Sequence, residues 1–244
     1  MEPHLTTAQY LILAAGALLG STVSGVTGVG GGMVFLPFLV FTVGAKYAVP
    51  YLTMLLLVAN VSRAYFARRG IDWTVWKHFL IGAVPGAVFG ALVYTVMPAV
   101  WITKALGVYL LAYVILSFTK TTWPKTATLK SIGWIGIPAG FVSAVVGGSG
   151  PVVVPWLLRY GLVKEAFIGT EAVGASSIHV VKLLVWGGAR MIRAHDVLLL
   201  LPLSILMIAG SYFGTALVTR MPVRLFRSIL IFSLAVIGLR FLLY

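Results

Sequence analysis

Three ionisable side chains stand inside one apolar run of the chain: Glu171, His179 and Lys182, within Ala166–Trp186. Their spacing puts them on one face of a helix, with Ala175 between Glu171 and His179. Charged groups inside such a run are expensive and face a cavity or one another. Glu171 and His179 can accept and donate protons, and His179 or Lys182 can attract an anion. An internal ion pair, or a Lys182 whose apolar stem carries its charge toward the membrane surface, are the structural alternatives. The matching run of the first half offers Thr53, Asn60 and Ser62, polar but uncharged.

A second chemistry lies in backbone rather than side chains. In Gly20–Pro37 an apolar helix pattern meets five glycines within eight residues, Gly25 to Gly32, then resumes. Gly140–Pro155 repeats the pattern with Gly147-Gly148-Ser149-Gly150. A break inside a hydrophobic segment leaves polar backbone groups that a bilayer tolerates only where they are buried or line a cavity. Half-helices starting at Met33 and Val152 would present unpaired N–H groups and a partial positive charge to an anion. The substrate-binding residues expected on this basis are Ser24, Gly28, Gly30, Gly31 and Gly32 in the first break. In the second they are Ser143, Gly147, Gly148, Ser149 and Gly150. Thr170, Ser176 and His179 join them from the charged run, with Glu171 and Lys182 as candidates for ion coupling. The competing reading is that the glycines only allow close helix packing. The run is not a nucleotide loop: the Lys and Ser/Thr of a P-loop are missing, and no βαβ context surrounds it.

These groups must be carried by membrane helices. Only 9% of the 244 residues are charged, 60% are hydrophobic, and the mean hydropathy is +1.05. A soluble domain carries about 25% charged residues. The runs lack the two-residue alternation of β-barrel strands. Ten hydrophobic elements follow: Ala8–Thr27, Met33–Val43, Tyr47–Phe66, Phe79–Met97 and Ala99–Phe118, then Ile132–Val146, Val152–Leu158, Ala166–Trp186, Val197–Val218 and Val223–Leu243. The second and seventh are too short to span alone, so each pairs with its predecessor as a re-entrant-like hairpin. The N-terminal run reads as a retained first helix, because Met1–Thr7 has no basic n-region. Asp72 and Asp196 are expected just ahead of helices as caps or loop ion pairs. Gly82, Gly86 and Gly90, like Gly210 and Gly214, lie four apart and read as packing faces.

The two sets of five match in order. Ser24 corresponds to Ser143, Pro37 to Pro155, Lys46 and Ala48 to Lys164 and Ala166, Asp72 to Asp196, Gly86 and Gly90 to Gly210 and Gly214, and Met97-Pro98 to Met221-Pro222. Pro50-Tyr51 stands where the second half has Gly169-Thr170. An odd number of elements per repeat makes the second enter the membrane from the opposite side. The fold expected is therefore an all-α polytopic membrane protein of two inverted-topology repeats, each a glycine-broken hairpin plus three spanning helices. Repeat one covers 1–119, a cytoplasmic linker 120–130 and repeat two 131–244, all in one integral membrane domain. Of the 18 lysines and arginines, twelve then fall on one face: Arg63, Arg68, Arg69, Lys77, Lys120, Lys125, Lys130, Arg159, Lys164, Arg220, Arg224 and Arg227. Five (Lys46, Lys104, Arg190, Arg193 and Arg240) fall on the other, and Lys182 is inside a helix. By the positive-inside rule the first face is cytoplasmic and both termini lie outside the cell membrane. The net charge of +13 thus sets topology and is not a nucleic-acid patch. No cysteine is present, which removes disulfides and thiolate metal sites. His4, His78 and His195 have no ligand-like spacing, so neither a metal nor another cofactor is expected.

The glycine blocks, the Ala166–Thr170 stretch and the full-length duplication resemble the sulfite exporter TauE/SafE family of membrane transporters. The second block departs from the first, with Ala144 in place of Gly25 and Gly148-Ser149-Gly150 in place of three glycines. The resemblance implies secondary transport, usually outward, of small sulfur-containing anions such as sulfite, sulfoacetate or other organosulfonates. It agrees with an anion held at half-helix starts near the midplane, between the two hairpins, and adds the sulfur. The expected partners are that anion, the lipid bilayer, protons if Glu171 couples them, and a second protomer if the Gly-x-x-x-Gly faces are used between chains. Proton coupling and drive by the membrane potential both fit. An inverted-repeat anion channel is the alternative, and the residues do not assemble an enzyme's nucleophile or acid–base pair.

Overall fold

Each apolar run becomes a helix, and the departures lie mainly at the helix starts. The computed structural model describes residues 6–27, 31–118, 126–192, 194–218 and 223–243, with side chains at all of these except 24–27, 194, 211–218 and 223–230. Among the described residues there are ten α-helices. The first five are α1 (Thr7–Thr27), α2 (Gly31–Val43), α3 (Ala45–Phe66), α4 (Trp73–Val96) and α5 (Ala99–Phe118). The second five are α6 (Leu129–Val146), α7 (Gly150–Tyr160), α8 (Lys164–Gly188), α9 (Ala194–Val218) and α10 (Val223–Leu243). A 3-10 turn, Arg68–Gly70, separates α3 from α4.

Caps explain the earlier starts. The Asp72 carboxylate accepts from the N–H groups of Thr74 and Val75, both at 3.0 Å, so α4 begins six residues before its apolar run. Thr128 and Ser131 form a reciprocal capping box, which starts α6 three residues before Ile132. Asp196 differs from its expected place ahead of a helix. It lies inside the first turn of α9, where its carboxylate accepts from the Tyr51 hydroxyl at 2.6 Å.

Among the described residues, five helices are long and apolar enough to cross a membrane: α3, α4, α5, α6 and α8. The half-helices begin two residues before Met33 and Val152, and α2 has 13 residues and α7 has 11. Eleven residues rise about 16 Å, about half of a bilayer's hydrocarbon core.

The chain divides into two compact units, and each draws on both halves of the sequence. The first contains α1, α2, α3 as far as Leu52, α5, α9 from His195, and α10. Here α1 and α2 pack as a hairpin: a Cβ on Gly20 would meet the Gly31 carbonyl at 2.6 Å. α9 lies on α1, with Gly210 against the Ser21 hydroxyl. Gly107 of α5 abuts the Gly238 carbonyl of α10. Lys46 Nζ donates to the Met97 carbonyl at 2.8 Å, tying the start of α3 to the turn before α5.

The second unit contains the rest of α3, the 3-10 turn, α4, α6, α7 and α8. Its seam is α4 against α6, and glycines make it. Gly82 and Gly86 rest on the carbonyls of Gly133 and Ile137, and Gly136 and Gly140 on those of Phe79 and Ala83. Helices in lipid gain nothing from hiding apolar surface from one another, so such close backbone approach supplies their attraction. Val75, Phe79, Ala83, Ile132, Ala139, Val153, Leu157 and Ile178 fill the core around the seam. Gly214, expected as a packing glycine of α9, falls where surroundings are not described.

Candidate functional site

The second break is built from its backbone. α6 ends at Gly147, whose φ of 92° is the left-handed conformation that glycine adopts without strain and whose N–H returns to the Ser143 carbonyl. Ser149 then caps α7, its carbonyl accepting from Val152 and Val153 at 2.9 and 3.0 Å. Pro151 sits in the first turn, where its missing N–H costs no helical bond. One helix thus ends and another begins within three residues.

The ending helix meets a cation. Lys182 of α8 is fully buried, and its Nζ donates to the Ser143 carbonyl at 3.0 Å and to the Ser143 hydroxyl oxygen at 3.1 Å. The last carbonyls of a helix carry partial negative charge, so an ammonium there is stabilising. The charge also lies 5.8 Å from the ring centre of Trp186, whose indole N–H is held by the Ala91 carbonyl at 3.2 Å. Lys182 therefore holds α6, at its broken end, to α8.

The beginning helix faces a different group. Glu171, nearer the start of α8, forms an ion pair with Arg63 in the last turn of α3. Both side chains are largely removed from water, 22% and 12% exposed for Arg63 and Glu171. Glu171 lines a small cavity together with Ser149 at the start of α7 and Thr170, Gly174 and Ala175 of α8. Val75, Trp76, Phe79, Val153 and Leu157 complete its wall. The cavity has about 10 Å³ for solvent, the room of about one water. Thr170 Oγ1 accepts from the Asp72 backbone N–H at 2.9 Å, which leaves its own hydrogen to donate. Trp76 is held in the wall by its indole N–H, which donates to Ser177 at 3.1 Å.

The expected residues therefore divide. Ser149, Thr170 and Glu171 share the cavity, while Ser143 and Lys182 pair about three turns further along α8. His179 is 3% exposed and its Nδ1 finds no hydrogen-bond partner among the described residues. Ser176 turns its hydroxyl onto the Ala172 carbonyl at 2.8 Å and does not line the cavity. Gly147, Gly148 and Gly150 form the break itself. Gly31 and Gly32 open α2 in the first unit. Gly28 and Gly30 lie outside the described residues, as does the side chain of Ser24. Arg63 is the residue that sequence reading missed as a site member. Its signal was its place one residue beyond the polar pair Asn60 and Ser62 of α3.

A polytopic helical membrane protein with a broken helix and an ion pair beside an internal cavity has the build of a transport protein. The chain matches the sulfite exporter TauE/SafE family over residues 12–241 and belongs to that family of membrane transporters. It is also similar to a probable membrane transporter protein of Haemophilus influenzae, 31% identical over 108 residues. That match covers 44% of this chain and 41% of the relative's length. No solved structure matches the chain.

Proposed function

We propose that the protein exports small sulfur-containing anions, such as sulfite, sulfoacetate or related organosulfonates, by alternating access, taking up the anion at the cavity beside the start of α7. The observation that carries this reading is the meeting, in one cavity, of Ser149 at a half-helix start, the Thr170 hydroxyl and the carboxylate partner of Arg63. The Gly150 N–H at the start of α7, hydroxyls and a guanidinium are donors that suit an oxyanion. The family supplies the sulfur. Room for about one water suits the shut stage of a carrier better than an open channel. Lys182 holds α6, at its broken end, in place; His179 lies one turn from it; Glu171 is the candidate for proton coupling, with the membrane potential as the other drive.

Matching contacts support the inverted repeat. Gly86 of α4 abuts α6 in one unit, and its counterpart Gly210 of α9 abuts α1 in the other. Thr170 bonds to Asp72, and Tyr51 in the corresponding stretch bonds to Asp196. With this topology and the excess of basic residues on one face, both termini lie outside the cytoplasmic membrane.

Purified protein in proteoliposomes tests the reading. Sulfite efflux should saturate and accelerate when sulfite is added to the opposite side. Unit current steps without such acceleration would replace the carrier by a channel. Failure to move sulfite, thiosulfate, sulfoacetate, taurine and sulfate alike would end the anion reading. Glu171→Gln separates the two drives: unchanged flux with unchanged pH dependence rules out proton coupling through Glu171.

A further inference from the structure

We infer that Arg63 is the residue that grips the transported anion, and that the Glu171 carboxylate is a built-in competitor that holds the same guanidinium until an anion displaces it. This rests on the anion-export reading of the cavity. Three observations carry it further than that reading goes.

The first is where the pair lies. Arg63 and Glu171 are largely withdrawn from water, and a charge left alone in such a place is costly. Glu171 therefore leaves Arg63 readily only when another anion takes its position. The second is size. The cavity that Glu171 lines has room for about one water, and sulfite has four heavy atoms. Rotation of the Glu171 side chain out of the wall would clear a volume next to Arg63 of about the size of the carboxylate removed. The third is chemical likeness. A carboxylate offers paired oxygens to the guanidinium fork, and a sulfite or sulfonate group presents the same pair on sulfur. Ser149 and Thr170, already in the wall, would then donate to the remaining oxygen. Two further charged groups of the unit are committed elsewhere: Asp72 caps α4 and Lys182 holds Ser143.

The exchange explains how an interior site for an anion persists without one. It also gives Glu171 a role separate from proton transfer: it sets how much anion is needed to open the pair. A competitor inside the protein lowers apparent affinity, so removing it should tighten binding.

Isothermal titration of sulfite into the purified full-length chain in lipid nanodiscs, under anaerobic buffer, tests this. Glu171→Gln keeps the shape and removes the competing charge, and should bind sulfite about tenfold tighter than the wild type. Arg63→Lys keeps the charge but loses the fork, and should bind about tenfold more weakly. The double variant should bind more tightly than Arg63→Lys and more weakly than Glu171→Gln. Size-exclusion chromatography checks that each variant is folded; should Arg63→Lys not fold, the sign of the Glu171→Gln change decides alone. Binding that Glu171→Gln weakens or leaves unchanged overturns the competitor, while wild-type binding still supports the anion site. Wild-type affinity in a folded Arg63→Lys overturns the grip. If neither the wild type nor Glu171→Gln binds sulfite, thiosulfate or sulfoacetate, both readings fall together.

Discussion

The two units use the same kind of helix contact but line it with different chemistry. In the first, Tyr51 is fully buried and gives its hydroxyl to Asp196, so a large ring occupies the place where α3 meets the start of α9. In the second, α8 supplies Thr170, which bonds to the backbone at Asp72. Thr170 lines the cavity together with Glu171 and Ser149. Among the described residues, the Arg63–Glu171 ion pair and the fully buried Lys182 belong to the second unit, while the first has the half-buried Asp196. Both units pack through glycines, while the ion pair and the fully buried cation sit in the second.

The seams give that comparison its hardest test. Gly86 meets a carbonyl of the α6 backbone, which cannot rotate away, whereas Gly210 meets the hydroxyl end of Ser21. Gly86→Ala should therefore cost about 3 kcal/mol, the upper end of ordinary overpacking. Gly210→Ala should cost about 1 kcal/mol, since Ser21 can take another rotamer. Thermal unfolding in detergent, followed by tryptophan fluorescence, ranks the two. Equal losses would mean that both seams are equally rigid and that the units differ only in charge.

Most of the fold was legible because apolar runs, glycine breaks and caps are local signals. Two of the starts that lie ahead of their apolar runs, Trp73 and Leu129, belong to turns whose signal is a cap rather than hydrophobicity. Asp196 was placed ahead of its helix because an aspartate before an apolar run reads as a cap, and its partner Tyr51 is 145 residues away. The site was less legible for the same reason. Ser149, Thr170 and Glu171 could be named from residue type and from the break. Lys182 could be named, but nothing local joins it to Ser143. Arg63 at a helix end looks like any topology-setting charge, and its meaning comes from Glu171, 108 residues further on.

A smaller effect separates seal from site. Tyr51→Phe removes a hydroxyl donor to a carboxylate and should cost about 2 kcal/mol of stability, as charge-assisted bonds do. Sulfite KM in proteoliposomes should stay as in the wild type. Thr170→Val keeps the shape but leaves the Asp72 N–H without its acceptor, costing about 1 kcal/mol because Asp72 is only half-buried. Here KM should rise as well, because Thr170 also lines the cavity. A KM shift in Tyr51→Phe equal to that in Thr170→Val would erase the distinction between the two stretches.

The smallest change probes the half-helix start alone. Ser149 caps α7 without any hydrogen bond from its side chain to the helix, so Ser149→Ala should leave stability almost untouched. Ser149 lines the cavity, and one hydrogen bond from its hydroxyl to an anion contributes about 1.5 kcal/mol, roughly a tenfold rise in sulfite KM with kcat little changed. The backbone N–H groups of α7 remain in the variant, so transport should persist at saturating sulfite. A stability loss without a KM change would make Ser149 a cap like Thr128. A loss of kcat with KM unchanged would place Ser149 in the movement that opens the cavity rather than in the grip on the anion.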